Sequence, residues 1–194
     1  SRSVVPKKFQ GTRMNLVLEK YFENKEKNTI IAEVSLKNLA YFIKRQEKYL
    51  FYSNIRNFLG KRNKVNKEIE KTYNNDPKKF WFYNNGITIV CDKYDEIKDL
   101  KNGGATMMIE TPQIVNGCQT SSTIYSLWKN QTTTERTNQE GTILVKIIED
   151  INNTKRKKIT RYTNSQTAVT GKDFFALEDF HHQLQKDFLK LGYN

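Results

Sequence analysis

The sequence predicts an α+β (or α/β) fold in which a mixed sheet is flanked by helices. Short runs rich in β-branched residues alternate along the chain with segments of helical periodicity. Glycine and asparagine pairs separate several of these segments. Of the 194 residues, 37% are hydrophobic and 12% aromatic, which is typical of a folded chain. The length suits one large domain or two small ones.

The predicted strands are the segments in which β-branched residues predominate. The clearest is Thr142–Ile148, and a second follows the turn formed by Asn84, Asn85 and Gly86. The predicted strands, in chain order, are residues 29–34, 49–52, 87–91, 105–115 with a break near Pro112, and 142–148.

The predicted helices are marked by capping residues and by apolar residues at helical spacing. Ser35 is a suitable N-cap for the first, and Asp76 followed by Pro77 is a typical helix start. The final segment is amphipathic and predicts a C-terminal helix. The predicted helices are residues 35–45, 54–59, 63–73, a short one from 76, 118–129, 154–162 and 172–191, whereas 131–141 is expected to be a loop.

The charge of the chain is strongly positive, with 33 Lys and Arg against 21 Asp and Glu, a formal net charge of +12. Most of this excess falls in residues 1–100. A nucleic acid or another polyanion is a natural partner for such a chain, because bound Lys and Arg release counterions from it. The alternative is that a composition rich in Lys and Asn serves only to solvate the surface.

The sequence shows no apolar run long enough to span a membrane and no secretory leader. Its two cysteines, Cys91 and Cys118, do not predict a disulfide framework. We therefore expect a cytoplasmic protein without a membrane partner. The first residue is Ser1 and the last follows the amphipathic segment directly, so we also expect a fragment of a longer protein.

The segment from Pro112 to Ser122 is the first candidate for binding chemistry. A strand ends, Asn116 and Gly117 allow positive φ, and a helix begins with small polar residues. The N–H groups of that helix start favour an anion, with Gln119 and Thr120 as further donors and with Gly117 allowing close approach. The alternative is that Thr120 or Ser121 only caps its own helix. The loop lacks the Lys of a Walker motif.

The segment from Phe80 to Ile89 is the second candidate. Its four consecutive aromatic residues cannot all be buried on one side, so some are expected in the core and one or two could stack on a base. Asn84, Asn85 and Gly86 are either simple turn residues or the residues that orient a ligand.

Two further segments add polar and cationic candidates. Asn54 and Arg56 lie in the densest cationic stretch, and Arg56 is placed between apolar neighbours, where a phosphate would explain it. Asn164 and Gln166 follow a basic helix. Plain helix capping and a solvated helix face are the alternatives for these two segments.

The sequence offers little support for catalysis. The histidines, His181 and His182, lie on the predicted C-terminal helix, and no Cys and His residues have metal-ligand spacing. Glu96 and Lys98, after Asp92, only faintly match the acidic triplet of nucleases. No catalytic residue, metal site or cofactor is therefore predicted, although a nuclease or nucleotide hydrolase stays open.

Taken in order, four segments resemble the AIPR family of abortive-infection phage-resistance proteins. They are residues 54–60 (NIRNFLG), 80–88 (FWFYNNGIT), 112–120 (PQIVNGCQT) and 163–169 (TNSQTAV). The resemblance covers residues 45–194 and implies an AIPR-like core there, with residues 1–44 as a segment leading into it. It implies a role in bacterial antiviral defence and other defence-system proteins as partners.

The segment around Asn116 and Gly117 is also similar, more weakly, to the Asp-Gly-Gln-His-Arg loop of DGQHR proteins, which are related to ParB-like nucleotide-binding folds. Here Asn116 stands in place of the acid and no His-Arg pair follows. The similarity implies a ParB-like core that binds phosphate, while the departure argues against nucleotide hydrolysis.

The resulting hypothesis is a defence module that binds nucleic acid or a nucleotide. Asn116, Gly117, Gln119 and Thr120 would hold phosphate, and the other candidate residues would converge on the same cleft. On this hypothesis Gly117→Val abolishes binding and leaves the domain folded. The alternatives are a nuclease domain and a regulatory protein-interaction domain.

Overall fold

The computed structural model describes residues 5–52, 64–101, 103–150 and 156–165. The chain divides into two units, Ser1–Thr163 and Asn164–Asn194. The fold described below is that of the first unit.

The smaller of two sheets has four strands, all antiparallel to its central strand β7. Strand β1 pairs with one side of β7 along its whole length, from Arg13 opposite Glu110 to Leu18 opposite Ala105, and the short strands β5 and β6 pair with the other side. Its strands are β1 (Arg13–Leu18), β5 (Lys93–Tyr94), β6 (Lys98–Asp99) and β7 (Ala105–Glu110).

The larger sheet has five strands in the order β2-β3-β9-β4-β8. Neighbouring strands are antiparallel except β4 and β9, which run parallel with Ile87 beside Val145. This is the mixed sheet that the sequence predicts. Its strands are β2 (Lys20–Asn24), β3 (Thr29–Ser35), β4 (Ile87–Cys91), β8 (Gln113–Asn116) and β9 (Thr142–Glu149).

Six α-helices accompany the sheets in the described residues, and two 3-10 turns, Lys7–Phe9 and Pro77–Lys79, precede β1 and α3. The Ser35 hydroxyl accepts a hydrogen bond from the Asn38 N–H, so the predicted N-cap is confirmed. The helices are α1 (Leu36–Leu50), α2 (Lys64–Asn75), α3 (Phe80–Tyr83), α4 (Cys118–Asn130), α5 (Thr133–Thr137) and α6 (Arg156–Ser165).

The hydrophobic core lies on one side of the five-stranded sheet, which we call the inner face. On β9, Ile143, Val145 and Ile147 alternate with more accessible residues, as a strand with one buried face requires. The same core contains apolar residues of α1 and α4 and the buried residues of β1 and β7. Burial of these side chains is the main source of stability for the fold.

The opposite side of the five-stranded sheet, the outer face, is covered over β4 and β8. Thr88 and Val90 alternate with the core residues of β4 and so point to the outer face, yet both are buried. Helix α6 is hydrogen-bonded to both ends of this strand pair. The Arg156 guanidinium donates to Asp92, just beyond the end of β4. The Thr163 carbonyl accepts from Asn116, the last residue of β8, which lies beside the start of β4. Helix α6 therefore lies along β4 and β8 on the outer face.

The architecture confirms the predicted α+β class and most of the predicted elements. The broken strand 105–115 is β7 and β8, separated at Thr111, whose φ is 50°, and Pro112. The turn at residues 84–86 connects helix α3 to strand β4. The helices predicted at residues 54–59 and 172–191 lie outside the described residues.

Two predictions about local structure are wrong. Residues 49–52 are no strand, because α1 continues past a kink at Gln46 and ends with buried Leu50. The expected loop 131–141 contains α5, which begins with a capping box in which Thr132 and Glu135 each satisfy the backbone N–H of the other. The basic helix predicted from residue 154 is present from Arg156 onward, and its predicted first residues lie outside the described part of the chain.

Strands β1 and β2 were not among the predicted elements, and both lie in residues that the sequence treats only as a leading segment. Strand β1 pairs with β7, and β2 pairs with β3, which itself pairs with central strand β9. Residues 13–35 thus contribute strands to both sheets. Where an AIPR-like core would begin along the chain stays a prediction.

Candidate functional site

Two Asn–Gly turns, remote in sequence, lie side by side at one edge of the five-stranded sheet. Strand β4 begins immediately after Gly86, and strand β8 ends immediately before Gly117. Because these strands are antiparallel, with Thr88 opposite Asn116, the start of one lies beside the end of the other. We call Asn85-Gly86 and Asn116-Gly117 the paired turns.

The glycines of the paired turns are required by packing. Both have a backbone φ of 77°, a conformation that residues other than glycine rarely adopt. A Cβ on Gly117 would lie 2.5 Å from the Ile87 Cγ2 atom and 2.8 Å from the Gly86 carbonyl oxygen, and a Cβ on Gly86 would lie 2.6 Å from the Leu144 carbonyl oxygen. The space beside Gly117 that the sequence interpretation assigned to a ligand is therefore filled by the neighbouring turn.

Helix α4 begins at the paired turns without a side-chain cap. Its N-cap is Gly117, and the N–H and hydroxyl of Ser121 both donate to the Gly117 carbonyl, at 2.9 and 2.8 Å. Neither Thr120 nor Ser121 caps the helix, so that alternative is wrong. The N–H groups of Gln119 and Thr120 precede the first helical hydrogen bond, and the helix dipole gives this end a partial positive charge.

Several polar side chains around the paired turns have structural partners. The Asn116 amide donates to the Thr163 carbonyl in the last turn of α6 at 2.8 Å, and therefore satisfies one of that helix's terminal carbonyls. The Gln119 amide donates to the Asn66 side chain of α2 at 2.8 Å. The Asn84 amide, just after the end of α3, donates to the carbonyl of Phe80, the first residue of that helix, at 3.2 Å. These contacts fix helices α2, α3 and α6 around the turns.

Asn85 and Thr120 differ from these residues. The Asn85 side chain is exposed and that of Thr120 is half-buried, and neither makes a side-chain hydrogen bond within the described part of the chain. They are the predicted binding residues whose polar groups a ligand would meet without breaking a structural contact.

The structure thus brings together seven of the predicted binding residues. They come from two segments that lie about thirty residues apart in the sequence: Asn84, Asn85, Gly86, Asn116, Gly117, Gln119 and Thr120. The backbone of Asn164 follows Thr163 in α6. Asn54, Arg56, Gln166 and the side chain of Asn164 lie outside the described residues.

The aromatic segment before the paired turns divides as the sequence predicts. Phe80 is fully buried in the core, whereas Phe82 and Tyr83 are 75% and 66% exposed. Sequence reasoning missed Asn66 and Thr163, which hold Gln119 and Asn116. Their roles depend on contacts across 53 and 47 residues of sequence, and no local pattern indicates them.

The carboxyl ends of β4 and β9 carry a second polar group, built around Arg156. This side chain is 2% exposed, and its guanidinium lies 2.9 Å from the Asp92 carboxylate, while the backbone N–H of Arg156 donates to the Asp150 carboxylate at 2.8 Å. Burial, followed by the nearby Glu149, raises the pKa of the adjacent Cys91 thiol. Burial and Glu149 therefore favour the protonated Cys91 thiol, and Asp92 is occupied by its ion pair with Arg156.

The acidic triplet considered for a nuclease gains no support from its geometry. Asp92 is bound to Arg156, and Lys98 lies in the exposed strand β6. Within residues 5–52, 64–101, 103–150 and 156–165, no three His, Cys, Asp or Glu side chains are grouped to hold a metal ion.

A groove of about 740 Å³ opens at the same edge of the sheet as the paired turns, next to the start of β9. Its walls carry both signs of charge, including Lys20, Lys37, Glu33 and Glu140. None of the predicted binding residues that the structure describes lines it. The mixture of charges gives the groove no clear preference for an anion.

A comparison with known families identifies a relationship for this chain. A family model described as AIPR protein matches residues 51–193, well over half of the chain. No curated protein and no solved structure matches it significantly. Among the described residues, no helix is both long enough and apolar enough to cross a bilayer. The chain therefore belongs to the AIPR family, a membership that suggests a role in abortive-infection, anti-phage defence.

Proposed function

We propose that this AIPR protein binds the phosphate of a nucleotide or nucleic acid at the paired turns as part of a defence response. The observation that carries the proposal is the direct contact between the two Asn–Gly turns at the uncapped start of α4. That contact presents Asn85 and Thr120, from distant segments, beside the same positively polarised helix end.

The proposed ligand is anionic because the uncapped start of α4 offers backbone N–H donors and a partial positive charge. The backbone N–H groups at the start of α4 point out of the helix, and the amide of Asn85 and hydroxyl of Thr120 add further donors. Hydrogen bonds to a charged acceptor are about twice as strong as neutral ones. A phosphate oxygen is therefore favoured over a neutral carbonyl as the partner.

The test removes donors that have no structural role. Gly117→Val is unsuitable, because its side chain would collide with Ile87 and Gly86 and would disturb the fold itself. We expect Asn85→Ala with Thr120→Val to weaken binding of ATP or of a short oligonucleotide at least about tenfold, the effect of losing one or two hydrogen bonds to a charged group. Isothermal titration calorimetry measures the dissociation constants.

A matched control changes the same residue types at the other end of α4. Asn130→Ala with Thr134→Val alters exposed residues near the end of α4 and in α5. This control should bind like the unmodified chain. Equal affinities for both double variants would refute the proposed site, and no binding of ATP, DNA or RNA by the unmodified chain would favour a protein-interaction domain.

A further inference from the structure

We propose that the outer face of the five-stranded sheet, together with α6, binds single-stranded nucleic acid. This surface is separate from the paired turns and shares no proposed contact residue with them. We call it the outer platform, and define it by Phe22, Ile31 and Lys146 on the strands and by the exposed stripe of α6, which comprises Lys157, Lys158, Arg161 and Tyr162.

The strand part of the outer platform is one continuous row across the sheet. Phe22 of β2 is opposite Ile31 of β3, and Ile31 is opposite Lys146 of β9. Residues directly opposite in antiparallel strands point to the same face, so these three side chains adjoin each other. Phe22 is 63% exposed and Ile31 is 44% exposed, although a water-facing sheet surface is normally polar.

The helix part supplies positive charge beside that row. Helix α6 contains no acidic residue, and its exposed side chains at positions i, i+1, i+4 and i+5 lie along one stripe. Arg156 lies on the opposite, buried side of α6 and forms an ion pair with Asp92. The stripe therefore presents three cations and Tyr162, which is 67% exposed, to the surroundings.

One acidic residue shares this face of the sheet with a lysine as its cross-strand neighbour. On β3 the outer-face residue Glu33 lies directly opposite Lys20 of β2. Lys146 lies between Ile31 and Thr88 in the sheet, at the border of the part that α6 covers. The outer platform as a whole therefore carries a net positive charge, with cations on the α6 side and an aromatic ring on the β2 side.

This arrangement fits a single strand better than a duplex or a protein. Single-strand binders combine a cationic track for the backbone with aromatic rings on which unpaired bases stack. A helix is about 10 Å wide and neighbouring strands lie about 4.8 Å apart. With these dimensions, the phosphates of the strand would contact α6 and Lys146, and its bases would lie over Ile31 and Phe22. A duplex keeps its bases stacked inside and would leave Phe22 without a partner.

Binding of a fluorescein-labelled oligothymidylate, about 12 nucleotides long to match known single-strand site sizes, tests the outer platform. In fluorescence polarisation, we expect the triple change Lys157→Gln, Lys158→Gln and Arg161→Gln to lower the slope of log affinity against log salt by about 2, which corresponds to three lost phosphate contacts. Phe22→Ala should weaken binding about tenfold, as the loss of one stacked base does.

The controls remove the same charge and the same kind of side chain elsewhere. Lys48→Gln, Lys71→Gln and Lys129→Gln change exposed lysines of α1, α2 and α4, and Tyr52→Ala removes an exposed ring after α1. If these variants reduce binding as much as the platform variants, the platform is refuted. Equal affinity for the matching duplex, unaffected by Phe22→Ala, would also refute it.

The outcomes for the two sites are separable. Loss of oligothymidylate binding in the platform variants, with ATP affinity unchanged, supports the outer platform whatever happens at the paired turns. Conversely, the double variant Asn85→Ala with Thr120→Val should not change the slope of log affinity against log salt for oligothymidylate, because the cations of α6 set that slope.

Discussion

The two faces of the five-stranded sheet are built from the same strands but serve different purposes. On β9 the inner-face residue Ile147 is fully buried, whereas the outer-face residue Leu144 retains over a third of its exposure. The inner face is sealed by helices and by the second sheet. Among the described residues, α6 covers the outer face over β4 and β8, whereas Ile31 of β3 and Leu144 of β9 stay exposed. Apolar packing on the inner face thus stabilises the fold, and the exposed part of the outer face is accessible to a ligand.

The largest expected effect comes from breaking the inner face. Ile147→Ala should lower the free energy of unfolding by about 2–5 kcal/mol, because it removes buried methyl groups and leaves a cavity. Leu144→Ala, three residues earlier on the other face, should cost less than about 1 kcal/mol. Denaturant unfolding monitored by circular dichroism measures both, and similar losses would contradict the distinction between the faces.

The next effect concerns the anchor of α6. Asp92→Asn should destabilise the protein by up to about 3 kcal/mol, because it removes the carboxylate that pairs with the buried Arg156 guanidinium. Adding Arg156→Met should restore most of that loss, since an apolar side chain of similar length fills the site without a charge. A double variant less stable than the single one would show that Arg156 is held by something other than Asp92.

A smaller effect is the difference in stability loss between two glycine substitutions. It separates the cost of the close contact in the paired turns from the cost of a positive φ alone. Gly11 and Gly117 both have positive φ, but a Cβ on Gly11 meets nothing within 4 Å. Gly11→Ala should therefore cost about 1–2 kcal/mol from left-handed strain. Gly117→Ala should cost at least about 1 kcal/mol more because of the collision with Gly86 and Ile87. Thermal unfolding of the two variants makes the comparison, and equal losses would refute the close contact.

The smallest effect is at the rim of the core, where Tyr94 hydrogen-bonds to Glu23. Burial, together with Glu23 and Glu149, raises the pKa of Tyr94 to about 12. The raised pKa favours the neutral phenol in the folded state, so this contribution to stability is complete below the ordinary tyrosine pKa of about 10 and is lost as the pH rises towards 12.

The replacement Tyr94→Phe should make unfolding less sensitive to pH across that alkaline range. Urea unfolding at a series of pH values tests this, with Tyr162→Phe as the control at an exposed tyrosine. An unchanged alkaline slope in Tyr94→Phe would show that its ionisation does not contribute.

Local sequence patterns were sufficient to predict the class of the fold and most of its elements. The alternation along β9 and the Ser35 cap are local patterns, and local patterns report on local backbone structure. A local pattern was also present at α5, where Thr132 and Glu135 form a capping box. The polar composition of that segment nevertheless led to the prediction of a loop. The resemblance to the AIPR family likewise required only the order of four segments.

Tertiary structure alone decided how the segments meet. That Gly117 contacts Gly86, that Asn116 holds the end of α6, and that Gln119 is bound to Asn66 depend on strand pairing and helix packing between distant residues. The exposure of Phe22 and Ile31 was equally hidden, because an alternating strand has the same pattern whichever of its faces is later covered. Periodicity fixes which side chains share a face, and only the packing of remote elements decides which face is buried.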